Sequence, residues 1–370
     1  MATLREIARE ANVSVGTVSS VLNGKLKENR PSSRSNAARI RAIADELGYR
    51  PNAAARAMRS RRTWQIGVLI RNDSDDPLTH PALFETIMGI NQSLEAAGLV
   101  VSLIRAHDLS RSERPLKKAS VRPSADAGGL SASRALREQM LDGMLVLSEI
   151  PVELVDPIAA AVPHVVWVES GNWADQGHLR RDERRSGRLC AQNLIKLGYR
   201  ELVFLDLWPW DERPAVKQNY FRQLLPSYSH IDRLAGVSEV AAEADVPLRT
   251  HRMTYGDPVS ERAAPSLMRT LRPDVGVIAP QAYQARWFAH RVAEDGMTAP
   301  RDFGLCCCDD SHDLGSMWPA LSRVSFDRYG LGKLAAEMML RALHEPDSDN
   351  PSRVVRGEWL PGKTARKLNT

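Results

Sequence analysis

Residues Asn12 to Gly24 read NVSVGTVSSVLNG. Val, Ser, Thr and Gly are each poor helix formers, so propensity alone suggests strand or loop. Yet Val18, Val21 and Leu22 fall at i, i+3 and i+4, which is one face of a helix. Ser14 stands where an N-cap belongs, and Asn23–Gly24 is a stop. Ahead of it, Leu4, Ile7, Ala8 and Ala11 form an apolar stripe, with Thr3 as N-cap. After it, a third helix is expected over Ser35–Leu47, with Ile40, Ile43, Ala44 and Leu47 facing inward and Gly48 ending it. Two short helices joined by a tight turn, with a third packed on them, make the helix-turn-helix plan. In that plan Val15, Gly16, Ser19 and Ser20 face away from the core, and their short side chains let the helix approach a groove floor.

Charge supports a polyanion partner. The 370-residue chain carries a net charge of +5, but residues 1–62 hold 13 Lys/Arg against 5 Asp/Glu, and the remainder 37 against 40. A small basic module is thus attached to a slightly acidic body. Lys and Arg contacts to phosphate supply the sequence-independent part of DNA affinity. Next comes GYRPNAAARAMRSRRTWQIGVLI, Gly48 to Ile70. Its alanine-rich run Asn52–Met58 is too short to be a stable helix alone. Arg56, Arg59, Arg61 and Arg62 line or follow it, and Met58 is an apolar wedge suited to a minor-groove step. IGVLI then reads as a buried strand.

The stretches TLREIAREANVSVGTVSSVLNG, ADELGYRPNAAARAM and IGVLI, in that order and spacing, resemble the lactose/galactose repressor (LacI/GalR) family of bacterial transcription regulators. The resemblance is strong over residues 3–70 and diffuse beyond. It implies a homodimer whose recognition helices read a pseudo-palindromic double-stranded operator, while paired hinge helices enter the central minor groove. Carried over by position, Ser14, Thr17, Ser19 and Asn23 match backbone- and base-contacting positions, and Val15, Gly16 and Ser20 match sequence-reading ones. Asn52, Ala55 and Met58 match the hinge, Met58 standing where the family usually has Leu. Thr3, Asn36, Arg56 and Arg59 complete the expected DNA-binding set. The chain also departs from the family. Ser20 replaces a common Arg, about four extra residues lie in KLKENRPSSRS, and Asn36–Ala37 replaces Thr–Arg. The operator is therefore expected to differ from the usual consensus.

Beyond residue 65, short apolar runs alternate with helical patterns. Expected strands are 65–70, 100–104, 143–147, 164–168, 202–207, 275–279 and 303–308; expected helices include 81–97, 183–197 and 283–295. Such alternation means parallel sheets covered on both faces. The fold class expected is an all-α helix-turn-helix headpiece (1–50), a hinge (51–63), and an α/β two-lobe body (64–370) like the periplasmic binding proteins. The N-lobe is expected over about 64–175 and 310–328, and the C-lobe over about 176–309 and 329–370. Residues 109–134 and 208–229 read as inserted surface loops.

The resemblance places a small-molecule effector of unknown identity between the lobes. Arg233 in DRLAG and Asp309 at the end of CCCDD match its clamping residues, the alternative for either being an ordinary interlobe ion pair. His80 and Leu83 replace a first-lobe NPFF-like element, Gln281–Ala282 replaces an Asn–Asp pair, and Phe326 replaces a Gln. Glu169 and Trp287 complete the expected cleft set. The loss of an acid and the gain of aromatics suggest a larger or more apolar effector than a small sugar, or none.

Some chemistry is not expected. Cys306, Cys307 and Cys308 are consecutive on a strand, so they alternate faces and cannot jointly ligate one metal. They read as buried small apolar side chains. GxGxxG, P-loop, GxSxG and HExxH motifs are missing. No enzyme activity, cofactor or metal is expected. No apolar run approaches a membrane span, the N-terminus is not a secretory signal, and four Cys are no disulfide framework. The expectation is a cytoplasmic, dimeric DNA-binding regulator, more specifically a repressor. Its alternatives are an effector-independent DNA binder and a two-lobe ligand-binding transport protein.

Overall fold

The structure, a computed structural model, describes residues 2–23, 31–50, 53–60, 62–70, 81–105, 140–147, 150, 154–206, 228–252, 264–310 and 320–369. Two units result, Met1–Thr63 and Trp64–Thr370. Residues 109–134 lie outside the described residues, and of 208–229 only Tyr228 and Ser229 are described, where they open a helix.

In the first unit, α1 is Leu4–Glu10, α2 Val15–Leu22, α3 Pro31–Glu46 and α4 Ala53–Ser60. Thr3 and Glu6 form a reciprocal capping box at α1. The Ser14 hydroxyl accepts from the Thr17 amide at 3.0 Å at the head of α2. Ile7, Ala8, Ala11, Val18, Val21, Ala37, Ile40 and Ala44 form one buried core. That core is what holds α2 helical against its own propensity, since tertiary burial outweighs tenths of a kcal/mol per residue. Two expectations need correction. The third helix starts four residues early, at Pro31, as proline favours a first helical turn. Leu47 is exposed rather than inward, because the helix has already ended at Glu46 and the chain turns through Gly48 at φ 61°.

The second unit holds two six-stranded sheets. The N-lobe sheet has the order β11-β5-β4-β3-β1-β2, with β1 Gln65–Ile70, β2 Val100–Arg105, β3 Gly143–Leu147, β4 Val165–Val168, β5 His178–Arg181 and β11 Arg353–Val355. All its pairings are parallel. The C-lobe sheet has the order β12-β10-β9-β8-β6-β7, with β6 Glu201–Asp206, β7 Leu248–Arg252, β8 Val275–Ala279, β9 Gly304–Cys307, β10 Ser322–Ser325 and β12 Glu358–Leu360. Only β12 runs antiparallel, against β10. The helices are α5 Pro81–Ala96, α6 Val155–Ala161, α7 Glu183–Lys196, α8 Tyr228–Glu243, α9 Ala282–Glu294 and α10 Arg328–His344.

Strand alternation sends each sheet's side chains into two cores. On β9, Leu305 and Cys307 enter one core with Phe288 and Phe303, while Cys306 enters the other with Cys190 and Phe204, joined by Cys308 just past the strand. All four cysteines are buried thiols.

The lobe boundaries differ from expectation. β5, α10 and β11 belong to the N-lobe, and β10 belongs to the C-lobe. Among the described residues the chain crosses three times, at Asp182, around Phe326–Asp327, and between β11 and β12. The first two crossings each end in an aspartate N-cap: Asp182 accepts from the Arg185 amide, and Asp327 from the Gly330 amide at 2.7 Å. The strands beside the crossings, HLRR, SRVS and RVV, are short and rich in arginine, so no apolar run marks them.

Candidate functional site

Two regions collect the expected site residues, one in each unit. In the first, Val18 and Val21 are buried, which turns the opposite side of α2 outward. Val15 and Gly16 are exposed there, and Thr17, Ser19 and Ser20 are half-buried. The polar groups beside them are pre-arranged. Ser14 Oγ and Thr17 Oγ1 are 2.8 Å apart, and Asn23 Nδ2 donates to the Ser19 carbonyl at 2.7 Å. Thr3 is tied up in its capping box. Asn36 is exposed and its Oδ1 accepts from Arg39 at 3.3 Å, while Arg39 also reaches the Ala11 carbonyl at 2.7 Å. On α4, Ala55 is half-buried and Met58 is 84% exposed. That exposure leaves the unbranched Met58 side chain accessible. Asn52 and the side chains of Arg56 and Arg59 lie outside the described residues.

In the second unit, six charged side chains converge where the chain crosses between lobes. Glu169, Arg181 and Arg328 come from the N-lobe; Glu183, Arg233 and Asp309 come from the C-lobe. Arg181 Nε donates to Glu169, its Nη1 to Asp309 at 2.8 Å, and its Nη2 pairs with Glu183 at 2.9 Å. Arg233 grips Glu183 with Nε at 2.8 Å and Nη2 at 2.7 Å, a bidentate fork. Its Nη1 donates to the Pro280 carbonyl at 2.6 Å, and Nη2 also reaches Asp309 at 3.2 Å. Arg328 Nη2 donates to Asp309, and its Nη1 lies 3.9 Å from Glu169. Three cations thus face three anions, and Arg233 and Glu183 are almost wholly shielded from water.

The electrostatics follow from that shielding. Burial works to raise the Asp309 pKa, but Arg181, Arg328 and Arg233 outweigh it and hold the carboxyl well below the usual range. Burial opposes the Arg181 charge, and Asp309, Glu169 and Glu183 outweigh it in turn. Burial, helped by Glu169, pushes the Tyr228 hydroxyl up, so it stays protonated while accepting from the Arg181 amide at 3.2 Å. Glu169 sits at φ 55°, an uncommon region for a residue with a side chain, and the surrounding ion pairs hold it there.

The expected cleft residues divide. Arg233, Asp309 and Glu169 all belong to this network, and the Arg181 guanidinium lies over the Phe326 ring at 4.9 Å. Gln281 follows Pro280 at the head of α9 without capping it through its side chain. Leu83 and Trp287 are partly buried, packed against the hydrophobic cores of the N-lobe and C-lobe, respectively. His80 lies outside the described residues. Sequence reasoning missed Arg181, Glu183 and Arg328. One signal was available: Arg181-Asp182-Glu183 and Asp327-Arg328 each set charges beside a helix N-cap, where the chain passes between sheets.

Residues 3–52 match the family described as bacterial regulatory proteins, lacI family, and residues 191–365 match the periplasmic binding protein-like domain. The ribose operon repressor of Haemophilus influenzae is 25% identical over 96% of this chain and 96% of its own. Catabolite control protein A of Staphylococcus xylosus is 24% identical over 95% and 96%, and the transcriptional repressor PurR of Vibrio parahaemolyticus 23% over the whole of both. Among solved structures, the lac repressor dimer bound to operator and the anti-inducer ONPF superposes with a TM-score of 0.72 at 18% identity, covering 99% of each chain. The CelR–cellobiose complex gives 0.62 at 18%, covering 98% of this chain and 100% of that one.

Proposed function

The chain belongs to the lacI family of bacterial regulatory proteins, and on that premise we propose that it is a sequence-specific, operator-binding transcriptional repressor whose body answers to a small-molecule effector between its lobes. One observation carries the reading: α2, helical only because Val18 and Val21 are buried, turns small uncharged residues outward on a strongly basic unit. Val15, Gly16 and Ser20 would meet base edges, Ser14, Thr17, Ser19 and Asn23 would position the helix on phosphates, and Met58 would wedge the minor groove. Val15, Gly16 and Ser20 offer little hydrogen-bonding readout, so much of the specificity falls to DNA shape and bending. Such a protein works beside the chromosome, in the cytoplasm.

A pseudo-palindromic operator needs a homodimer. The N-lobe supports one: Phe84 and Met88 lie one turn apart on α5 and are exposed, and so are Val100 and Leu103 on β2, the edge strand of its sheet. A transport protein leaves the three-helix unit without a purpose.

The test is a gel shift on operator selected from random DNA, with a salt titration. Specific binding should exceed random DNA by about a thousandfold and fall steeply with salt. Met58→Ala should weaken specific binding about tenfold and reduce bending in a circular-permutation assay, with random-sequence binding unchanged. Unchanged bending and affinity in that variant would remove the wedge from the reading.

A further inference from the structure

The charged network determines what kind of molecule can enter between the lobes. The pairs that cross from lobe to lobe are Arg181–Glu183, Arg181–Asp309 and Arg328–Asp309. Opening the lobes leaves Arg181 and Arg328 with only Glu169 between them on the N-lobe side, and Glu183 and Asp309 with only Arg233 on the C-lobe side, so each side is left one charge out of balance. A buried charge separated from its partner is far more costly than a broken neutral hydrogen bond. A neutral polyol inserted there would leave one excess positive charge on the N-lobe side and one excess negative charge on the C-lobe side. A dianion would answer Arg181 and Arg328 but repel Glu183 and Asp309, and a dication would do the reverse.

One donor already marks the anionic end. Arg328 is only 6% exposed, its Nε is buried with no hydrogen-bond partner, and its Nη1 is 3.9 Å from Glu169. Arg181 and Arg233, by contrast, have every nitrogen engaged. We propose that the effector is a small zwitterion of the amino-acid type, its carboxylate set against Arg328 and Arg181 and its ammonium against Asp309 and Glu183. This rests on the effector reading above and names its ligand class.

Thermal melting and calorimetry of the full chain test it directly, with no DNA present. The probes are the standard amino acids with β-alanine and γ-aminobutyrate as zwitterions, glucose and ribose as neutral polyols, succinate as dianion and putrescine as dication. At least one zwitterion should raise the melting temperature by about 3 °C or more at a hundredfold excess over its Kd, and the other probes should not. Arg328→Met should abolish the effect. Asp309→Asn, nearly isosteric, leaves the site one positive charge in excess and should weaken zwitterion binding at least tenfold while admitting succinate. Binding of a neutral sugar, or silence across every zwitterion, overturns the proposal. Zwitterion binding that leaves operator affinity unchanged would instead count against the effector reading and leave the site standing.

Discussion

The two lobes solve one packing problem the same way and then part. Each is covered by a pair of helices that meet through two glycines. In the N-lobe, a Cβ on Gly89 of α5 would lie 2.1 Å from the Tyr329 carbonyl oxygen, and one on Gly332 of α10 would lie 2.0 Å from that of Thr86. In the C-lobe, Gly187 of α7 meets the Arg233 carbonyl and Gly236 of α8 meets that of Arg184, each at 2.0 Å. Both crossings therefore seat a network arginine: Arg233 itself in the C-lobe, and Arg328, one residue before Tyr329, in the N-lobe. The outer rims differ. The C-lobe pair is laced by Arg188 with Glu239 at 2.8 Å and with Glu243 at 3.1 Å, whereas the N-lobe pair leaves Phe84 and Met88 bare. Interior geometry is shared, and the surface is where each lobe becomes specialised.

The sharpest way to break the comparison is to fill the crossings. Gly187→Val and Gly89→Val each place a side chain where backbone already stands, and no rotamer relieves that. Each should cost about 4 kcal/mol or more in urea unfolding. Near-equal losses would confirm that the two crossings are equivalent, and a cost below about 1 kcal/mol at Gly89 would show that the N-lobe pair slides freely. A smaller contrast lies in the arginines those crossings seat. Arg233→Met removes the bidentate partner of fully buried Glu183 and should cost about 3–5 kcal/mol. Arg328→Met leaves Asp309 with Arg181 and Arg233 and should cost about 2 kcal/mol. If the order reversed, the N-lobe arginine would be the keystone of the network.

How far the sequence foretold this depends on what each element is made of. Strands β3 and β8 are fully apolar, and their expected bounds, 143–147 and 275–279, match the structure residue for residue. β5, HLRR, has no apolar run, and its inward arginine is buried only because three carboxylates from other elements surround it. That dependence on distant partners hid Arg181, although Asp309 and Arg233, its neighbours in space, stood out through the family resemblance. Leu83 and Trp287, partly buried against the cores of their lobes, make a related point. A helix pattern locates the apolar face but does not say whether that face meets a core or a cleft. In the headpiece, patterning outdid propensity: Val18 and Val21 identified α2 although its residue types disfavour a helix.

The gentlest probe of the lobes is protonation. His178 of β5 has its ring parallel to Trp167, with centroids 6.2 Å apart, its Nδ1 on the Gln176 carbonyl at 2.6 Å and its Nε2 buried without a partner. Trp173 is tilted against the His178 ring with centroids 5.8 Å apart, and the Arg180 guanidinium lies 4.1 Å from the Trp173 ring centroid. Burial lowers the His178 pKa from its ordinary 6.5, only partly offset by the Gln176 carbonyl. The unfolded chain thus binds a proton that the folded chain refuses. Stability should be full above pH 6.5 and decline as pH falls through that value toward the lower folded pKa. Asp309, held below the usual carboxylate range, is lost only in far stronger acid, so the two windows separate. Urea unfolding at pH 7.5 and 5.5 should show a drop in the wild type that His178→Gln makes smaller. The C-lobe histidine His230, whose Nε2 lies 2.6 Å from Asp206, supplies the contrast. If His230→Gln flattened the slope and His178→Gln did not, the acid-sensitive histidine would belong to the other lobe.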